Sequence, residues 1–195
     1  PDLTQIVNLL AKYVSSPDST HWTALKRVIK YLVGTLELGL VYRKQETKIP
    51  LYGYSDADHA GDKEDRKSTS GYVFIFASGP VTWRSIKQSV VSISSTEAEY
   101  IAMSHAAQEV LWLRRLADDL NVLEDNQPTV LYEDNLPAIG LLKNQKNHSR
   151  SKHIDVRYHF VRDLVSQNLL LVKHCGTKEM TADILTKPLA KDAFL

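Results

Sequence analysis

Four carboxylates stand where the sequence suggests that elements begin or end. Asp56 closes the run "PLYGYSD", and Glu99 lies in the first turn of a helical stretch, in "STEAEYIA". Asp134 closes "VLYED", and Asp183 lies in "EMTADILTK". Side chains at element ends can converge, and such positions carry chemistry disproportionately often. Carboxylates that converge repel one another unless a cation stands among them, and a set of oxygen ligands suits Mg²⁺ or Mn²⁺ rather than zinc. Each residue also has a purely structural reading. Thr96 and Glu99 have the spacing of a capping box. Asp134 with Asn135 could shape a turn before the next helix, and Asp183 could be a surface helix position.

The stretch "YSDADHAGD" adds Asp58 and Asp62 to Asp56. An EF-hand loop wants oxygen ligands at loop positions one, three and five, and a glutamate at twelve. Ala60 and Lys67 stand at the fifth and twelfth places, so a calcium loop is excluded. Asp58 shares a face with Asp56 only if the strand continues past Asp56. Glu97 competes with Glu99, but two residues apart on a helix they project roughly 200° from each other.

The elements that must position these groups follow from periodicity. Helical spacing of Leu3, Ile6, Val7, Leu10 and Val14 predicts a first helix over 3–14. Trp22, Leu25, Ile29 and Leu32 predict a second, with Lys26, Arg27 and Lys30 on another face and Gly34 as its C-cap. "LGLVYRK", "PLYGYSD", "GYVFIFAS" and "PVTWRS" read as short strands in a meander. A long helix is expected from Thr96 to about Leu120, then a strand in "PTVLYED", helices over 136–143 and 153–167, a strand in "LLLVKHC", and a last helix from Thr177 to near Pro188. Antiparallel strands followed by strand–helix alternation predict an α/β domain with a mixed sheet.

Bulk numbers narrow the class. The 195 residues suffice for one domain and an appendage, and 43% hydrophobic with 24% charged residues is globular composition. A net charge of +1 recommends no polyanionic partner by itself, so any nucleic-acid surface must come from local clustering. The single Cys175 cannot form an intrachain disulfide, and no apolar run approaches about 18 residues, so no membrane span is expected. The chain starts at Pro1 without a signal-peptide pattern and is expected to be a piece of a longer polypeptide.

In order along the chain, "YSDADHAGDKEDRKSTSGYVF", "SSTEAEYIA", "YEDNLPAI", "SKHIDVRYHFVRD" and "KEMTADILTKPL" resemble the ribonuclease H domain of copia-type LTR retrotransposon polyproteins. The resemblance covers roughly residues 50–190, and "HWTALKRVIKYLVGTLELGL" resembles the segment joining reverse transcriptase to ribonuclease H. It implies a division into a helical connection tail, 1–45, and a ribonuclease H domain, 46–195. The implied fold is a five-stranded mixed sheet, three antiparallel strands plus two added by crossovers, flanked by helices and preceded by a helical pair. The implied catalytic and metal-binding set is Asp56, Glu99, Asp134 and Asp183, with two Mg²⁺ ions as cofactors and Mn²⁺ as a substitute. The order Asp, Glu, Asp, Asp differs from the two aspartates and glutamate of retroviral integrases. "YEDN" is not the Y-x-D-D of a polymerase palm, so DNA synthesis is not expected.

The implied reaction is hydrolysis of the RNA strand of RNA–DNA hybrids during reverse transcription; the alternative is a non-catalytic module that binds hybrid or supports the polymerase. Two divalent ions about 3.5–4 Å apart would activate water and hold the leaving 3′-oxygen. Asp56 would bridge them, with Glu99 and Asp134 on one side and Asp183 on the other. Arg66, Lys67, Ser68 and Thr69 in "DRKSTSG", and Arg84 and Lys87 in "WRSIKQ", are candidates for holding phosphates, and Asn135 for touching a ribose. His174 stands where cellular ribonucleases H carry a mobile histidine, though a plain strand residue is an equal reading. His59, His153 and His159 are expected to be structural or substrate-facing. The expected partners are the hybrid and the polymerase domain of the same polyprotein, and the expected location is a cytoplasmic virus-like particle.

Overall fold

The computed structural model describes residues 1–44, 50–123, 127–143, 152–190 and 194, with the backbone alone for 152–155. Two helices open the chain, α1 (Thr4–Ala11) and α2 (Ser19–Gly34). Three antiparallel strands follow, β1 (Tyr52–Asp58), β2 (Thr69–Phe76) and β3 (Gly79–Lys87). Helix α3 (Ser95–Asp119) then leads to β4 (Thr129–Glu133), which lies parallel to β1. Helices α4 (Leu136–Lys143) and α5 (Lys152–Ser166) lead to β5 (Leu170–His174), parallel to β4. The sheet order is β3-β2-β1-β4-β5, the mixed sheet the sequence predicts.

The period-2 alternation of the strands divides the core in two. Tyr72, Phe74 and Leu131 face α3 and α5, meeting Tyr100, Met103, Val110, Tyr158 and Val161. Small residues let α3 approach β1 closely, where Ala98 and Ala102 pack on Ala57. On the opposite face Val73 packs with Met180, Ala182 and Leu185 from two 3-10 turns, Thr177–Glu179 and Thr181–Leu185. Gly71 permits that contact. A Cβ there would lie 2.7 Å from Thr186 Cγ2 and 2.9 Å from Leu185 Cβ.

Four local expectations change. "LGLVYRK" is not a strand; Leu38, Leu40 and Tyr42 stay exposed, so extended pairing would bury nothing. It is tethered instead by Arg43 N–H to the Ala77 carbonyl at 2.9 Å. Gly34 remains helical, and Thr35 is the C-cap of α2. The last expected helix is broken by the extended backbone of Met180, at φ −72° and ψ 90°, into the two 3-10 turns. Strand β1 runs through to Asp58 rather than ending at Asp56.

The crowding of aspartates after "PLYGY" resolves into three separate jobs. Asp56 is buried at the sheet. The Asp58 side chain folds over Gly61, leaving no space for a Cβ there. Asp62 accepts from Lys12, the C-cap of α1, and from Lys87 of β3, each at 2.5 Å, and these cations hold its carboxyl well below the usual range. Through that pair, and through Asn8 Nδ2 donating to the Ser85 carbonyl at 2.6 Å, α1 is seated on β3.

Candidate metal centre

Parallel pairing of β1 with β4 brings their C-terminal ends side by side, with Asp56 on one and Asp134 just beyond the other. Glu99 comes from α3, whose start lies one register earlier than the sequence suggests. Ser94 is the N-cap, its Oγ accepting from Glu97 N–H at 3.2 Å, while Glu97 Oε2 accepts from Ile93 N–H at 2.8 Å. Glu97 therefore does the capping, and Glu99, in the second turn, is left to face the sheet. Ligand oxygens of Asp56, Glu99 and Asp134 lie within 4.8 Å of one another.

This is a concentration of negative charge in a poor solvent for it. Burial raises Asp56 to about 6, against the lowering effects of Thr186 and Lys187. Burial raises Glu99 further, reinforced by Glu133, Asp56 and Asp134. Glu99 Oε2 is buried without a hydrogen-bond partner. An orphan buried oxygen on Glu99, converging with oxygens of Asp56 and Asp134, is what a hard cation with oxygen ligands would satisfy, so the residues present fit Mg²⁺ or Mn²⁺.

Asp183, on the second 3-10 turn, is not among the three that converge. The same turn delivers Thr186, whose Oγ1 donates to Asp56 Oδ2, and Lys187. Lys187 Nζ lies 2.9 Å from Asp183 Oδ1 and 3.9 Å from Asp56 Oδ2. The nearer contact is an ion pair; burial lowers the Lys187 pKa, and this contact raises it.

Of the residues proposed for substrate, Arg84 and Lys87 fall on opposite faces of β3 by its alternation. Arg84 is exposed beside Tyr72, on the α3 side. Lys87 is engaged by Asp62 and by Asp65 at 2.8 Å. Arg66, at φ 58°, and Lys67 belong to the turn closed by Asp62 N–H and the Lys67 carbonyl, and Thr69 opens β2 opposite Asp58. Ser68 is buried, its Oγ accepting from Ala60 N–H. Asn135 Oδ1 caps α4, accepting from Ala138 N–H at 2.9 Å. His174 is the exposed last residue of β5, in register with Glu133. His59 is exposed with Nε2 3.2 Å from the Ser92 carbonyl; the His153 side chain lies outside the described residues, and His159 lies on α5.

Three contributors escaped the sequence reading. Glu133 is wholly buried, its carboxylate accepting from Ser55 Oγ at 3.0 Å and from Asn135 N–H at 3.2 Å. Alternation in "TVLYE" places it on the face of Leu131, and an acid on an apolar face is a signal that was present. Thr186 and Lys187 follow Asp183 by three and four residues, the spacing of neighbours on one helical face.

Comparisons with known proteins bear on the family and the fold. No protein-family model matches the chain. It is 44% identical over 194 residues to the retrovirus-related Pol polyprotein from transposon RE2 of Arabidopsis thaliana and 42% identical to that from transposon RE1 of the same plant. The alignments cover all of this chain and 13% of each relative, so the chain spans about an eighth of their length. Over 113 residues it is 53% identical to secreted RxLR effector protein 161 of Plasmopara viticola, covering 58% of this chain and 79% of that protein. Among solved structures, LC11-RNase H1 in complex with an RNA/DNA hybrid superposes with a TM-score of 0.50 at 14% identity, over 70% of this chain and 93% of that one. That likeness concerns the fold.

Proposed function

Because this chain belongs to the Pol polyproteins of copia-type retrotransposons, as their ribonuclease H-like domain, we propose that it hydrolyses the RNA strand of RNA–DNA hybrids with divalent metal ions. The observation that carries the reading is the convergence of Asp56, Glu99 and Asp134 within 4.8 Å, with Asp183 linked to Asp56 through Lys187. Bound ions would supply an activated water and charge stabilisation at the leaving oxygen. Asp56, Glu99 and Asp134 would hold one ion, and Asp56 with Asp183 a second. Glu99, raised by burial and its acidic neighbours, must surrender its proton before it can act as a ligand. Thr186 keeps Asp56 in one orientation through its hydroxyl.

We assign residues 1–45 to the tail of the polymerase's connection segment, and the polymerase domain and an RNA–DNA hybrid as partners. A solved neighbour of the fold was captured with such a hybrid. Exposed Arg84 and Arg66 are the phosphate-holding candidates whose charge no described ion pair takes up. The chemistry belongs inside the cytoplasmic particle in which reverse transcription proceeds.

The test is cleavage of an end-labelled RNA–DNA hybrid in Mg²⁺, beside Asp134→Asn and matched duplex DNA. Cutting of the RNA strand alone, lost in the variant, establishes the enzyme and its centre together. Hybrid binding without cutting in either Mg²⁺ or Mn²⁺ would turn the reading to a non-catalytic module.

A further inference from the structure

We propose that Lys187 is a resident counter-cation of the carboxylate cluster, and that a divalent ion binds on the Asp183 side by displacing its ammonium. The inference rests on the metal-dependent reading above. Among the described residues, no other ammonium or guanidinium forms an ion pair with Asp56 or Asp183. Lys187 reaches both, at 3.9 Å and 2.9 Å, and its charge also acts on Asp58. It thereby relieves a crowd of buried acids when no other cation is there.

The contact is built to be given up. The ammonium touches Asp183 from the solvent side, and the lysine side chain keeps 38% of its surface in solvent. Its backbone is meanwhile held in place by its neighbour, since Thr186 donates to Asp56 and its N–H bonds the Asp183 carbonyl at 3.1 Å. A tethered head with an open route outward can leave without moving the turn. An ion taking an Asp183 oxygen as ligand would stand a few ångström from that ammonium, where like charges repel strongly. The two cations are therefore alternatives. Binding on this side is an exchange of lysine for metal, not the filling of an open place.

Titration of the full chain with MnCl₂, without nucleic acid, separates the possibilities. Lys187→Met should gain a second, weaker binding phase, or tighten an existing one, by ten-fold or more. Lys187→Arg should follow the wild type. Lys187→Met in EDTA should melt below the wild type, and Mn²⁺ should raise its melting temperature by the larger increment. An identical isotherm in wild type and Lys187→Met overturns the inference while leaving the metal centre intact. No Mn²⁺ binding in either chain overturns the metal reading itself. A measurement on the unmutated protein guards against a variant that fails to fold. Reductive methylation of Lys187, read by peptide mass spectrometry, should rise several-fold in saturating Mn²⁺, and unchanged labelling would count against displacement.

Discussion

Ser55 donates to Glu133 across the β1–β4 pair at 3.0 Å, with both side chains wholly removed from solvent. Ser55 precedes Asp56, and Asn135, which also donates to Glu133, follows Asp134. One carboxyl group therefore ties together the two strand ends that present the metal-facing aspartates. Burial holds Glu133 well above the ordinary glutamate range, so across that range the folded protein keeps a proton that the unfolded chain releases. Glu133→Gln should then stabilise the metal-free protein once the pH rises above the ordinary glutamate value, because an amide has no charge to regain on unfolding. The Ser55 hydroxyl can turn to accept from the new amide. Glu133→Ala should destabilise by roughly 2–4 kcal/mol, leaving a cavity and two unpaired donors. Urea unfolding in EDTA reads both. A glutamine variant as weak as the alanine one would mean that the clamp works through a charge.

His105 predicts a second effect of acid, on the helix side of the sheet. It lies in α3, and burial lowers its pKa to about 4, helped by the positive charges of Arg157 and Arg84. Its Nδ1 is buried without a partner. Between its ordinary 6.5 and about 4, the unfolded chain takes up a proton that the folded chain refuses. Stability therefore falls as the pH drops through that window, by on the order of 3 kcal/mol in full. Asp56 acts oppositely, since its raised folded value makes acid stabilising between about 6 and 3.8. The informative quantity is thus the difference between chains. Urea midpoints of the metal-free protein from pH 6.5 to 4.5 should fall more steeply for wild type than for His105→Leu. Parallel slopes would mean that His105 titrates as an ordinary exposed imidazole.

What the sequence made legible follows from which signals are local. Strand alternation and turn residues mark β1, β2 and β3, and the helical period marks α3, because each is dictated over a few neighbours. "LGLVYRK" carries the same local signal and forms no strand, since strand formation also needs a surface to bury against, and Leu38, Leu40 and Val41 stay exposed. The capping box shows a finer limit. "SISSTEAE" offers the spacing at Ser94–Glu97 as well as at Thr96–Glu99, and only the docking of Ala98 and Ala102 on Ala57 selects the frame that frees Glu99. The acids themselves were visible as residues at element ends. Lys187 was not visible as their counter-charge, because its distance from Asp56 is set by tertiary packing between positions 131 residues apart.

That packing passes through Gly71, which pairs with Asp56 in the β1–β2 register. A methyl group there would meet Thr186 Cγ2 at 2.7 Å, Leu185 Cβ at 2.9 Å and the Ala182 carbonyl oxygen at 3.2 Å. None of these is the free end of a flexible side chain, so Gly71→Ala must push the turn Thr181–Leu185 off the sheet. Overpacking of this kind costs roughly 1–3 kcal/mol. Its larger effect falls on the site, because the same turn carries Asp183, Thr186 and Lys187. A displacement of about an ångström among groups that must act together can lower a rate by roughly a hundred-fold. Gly71→Ala should therefore lose hybrid cleavage about a hundred-fold while its melting temperature drops only a few degrees. Gly176→Ala is the matched control, since its added Cβ would meet nothing closer than Glu179 Oε2 at 3.9 Å. Equal losses of activity in the two variants would place the second half of the metal centre elsewhere than on this turn.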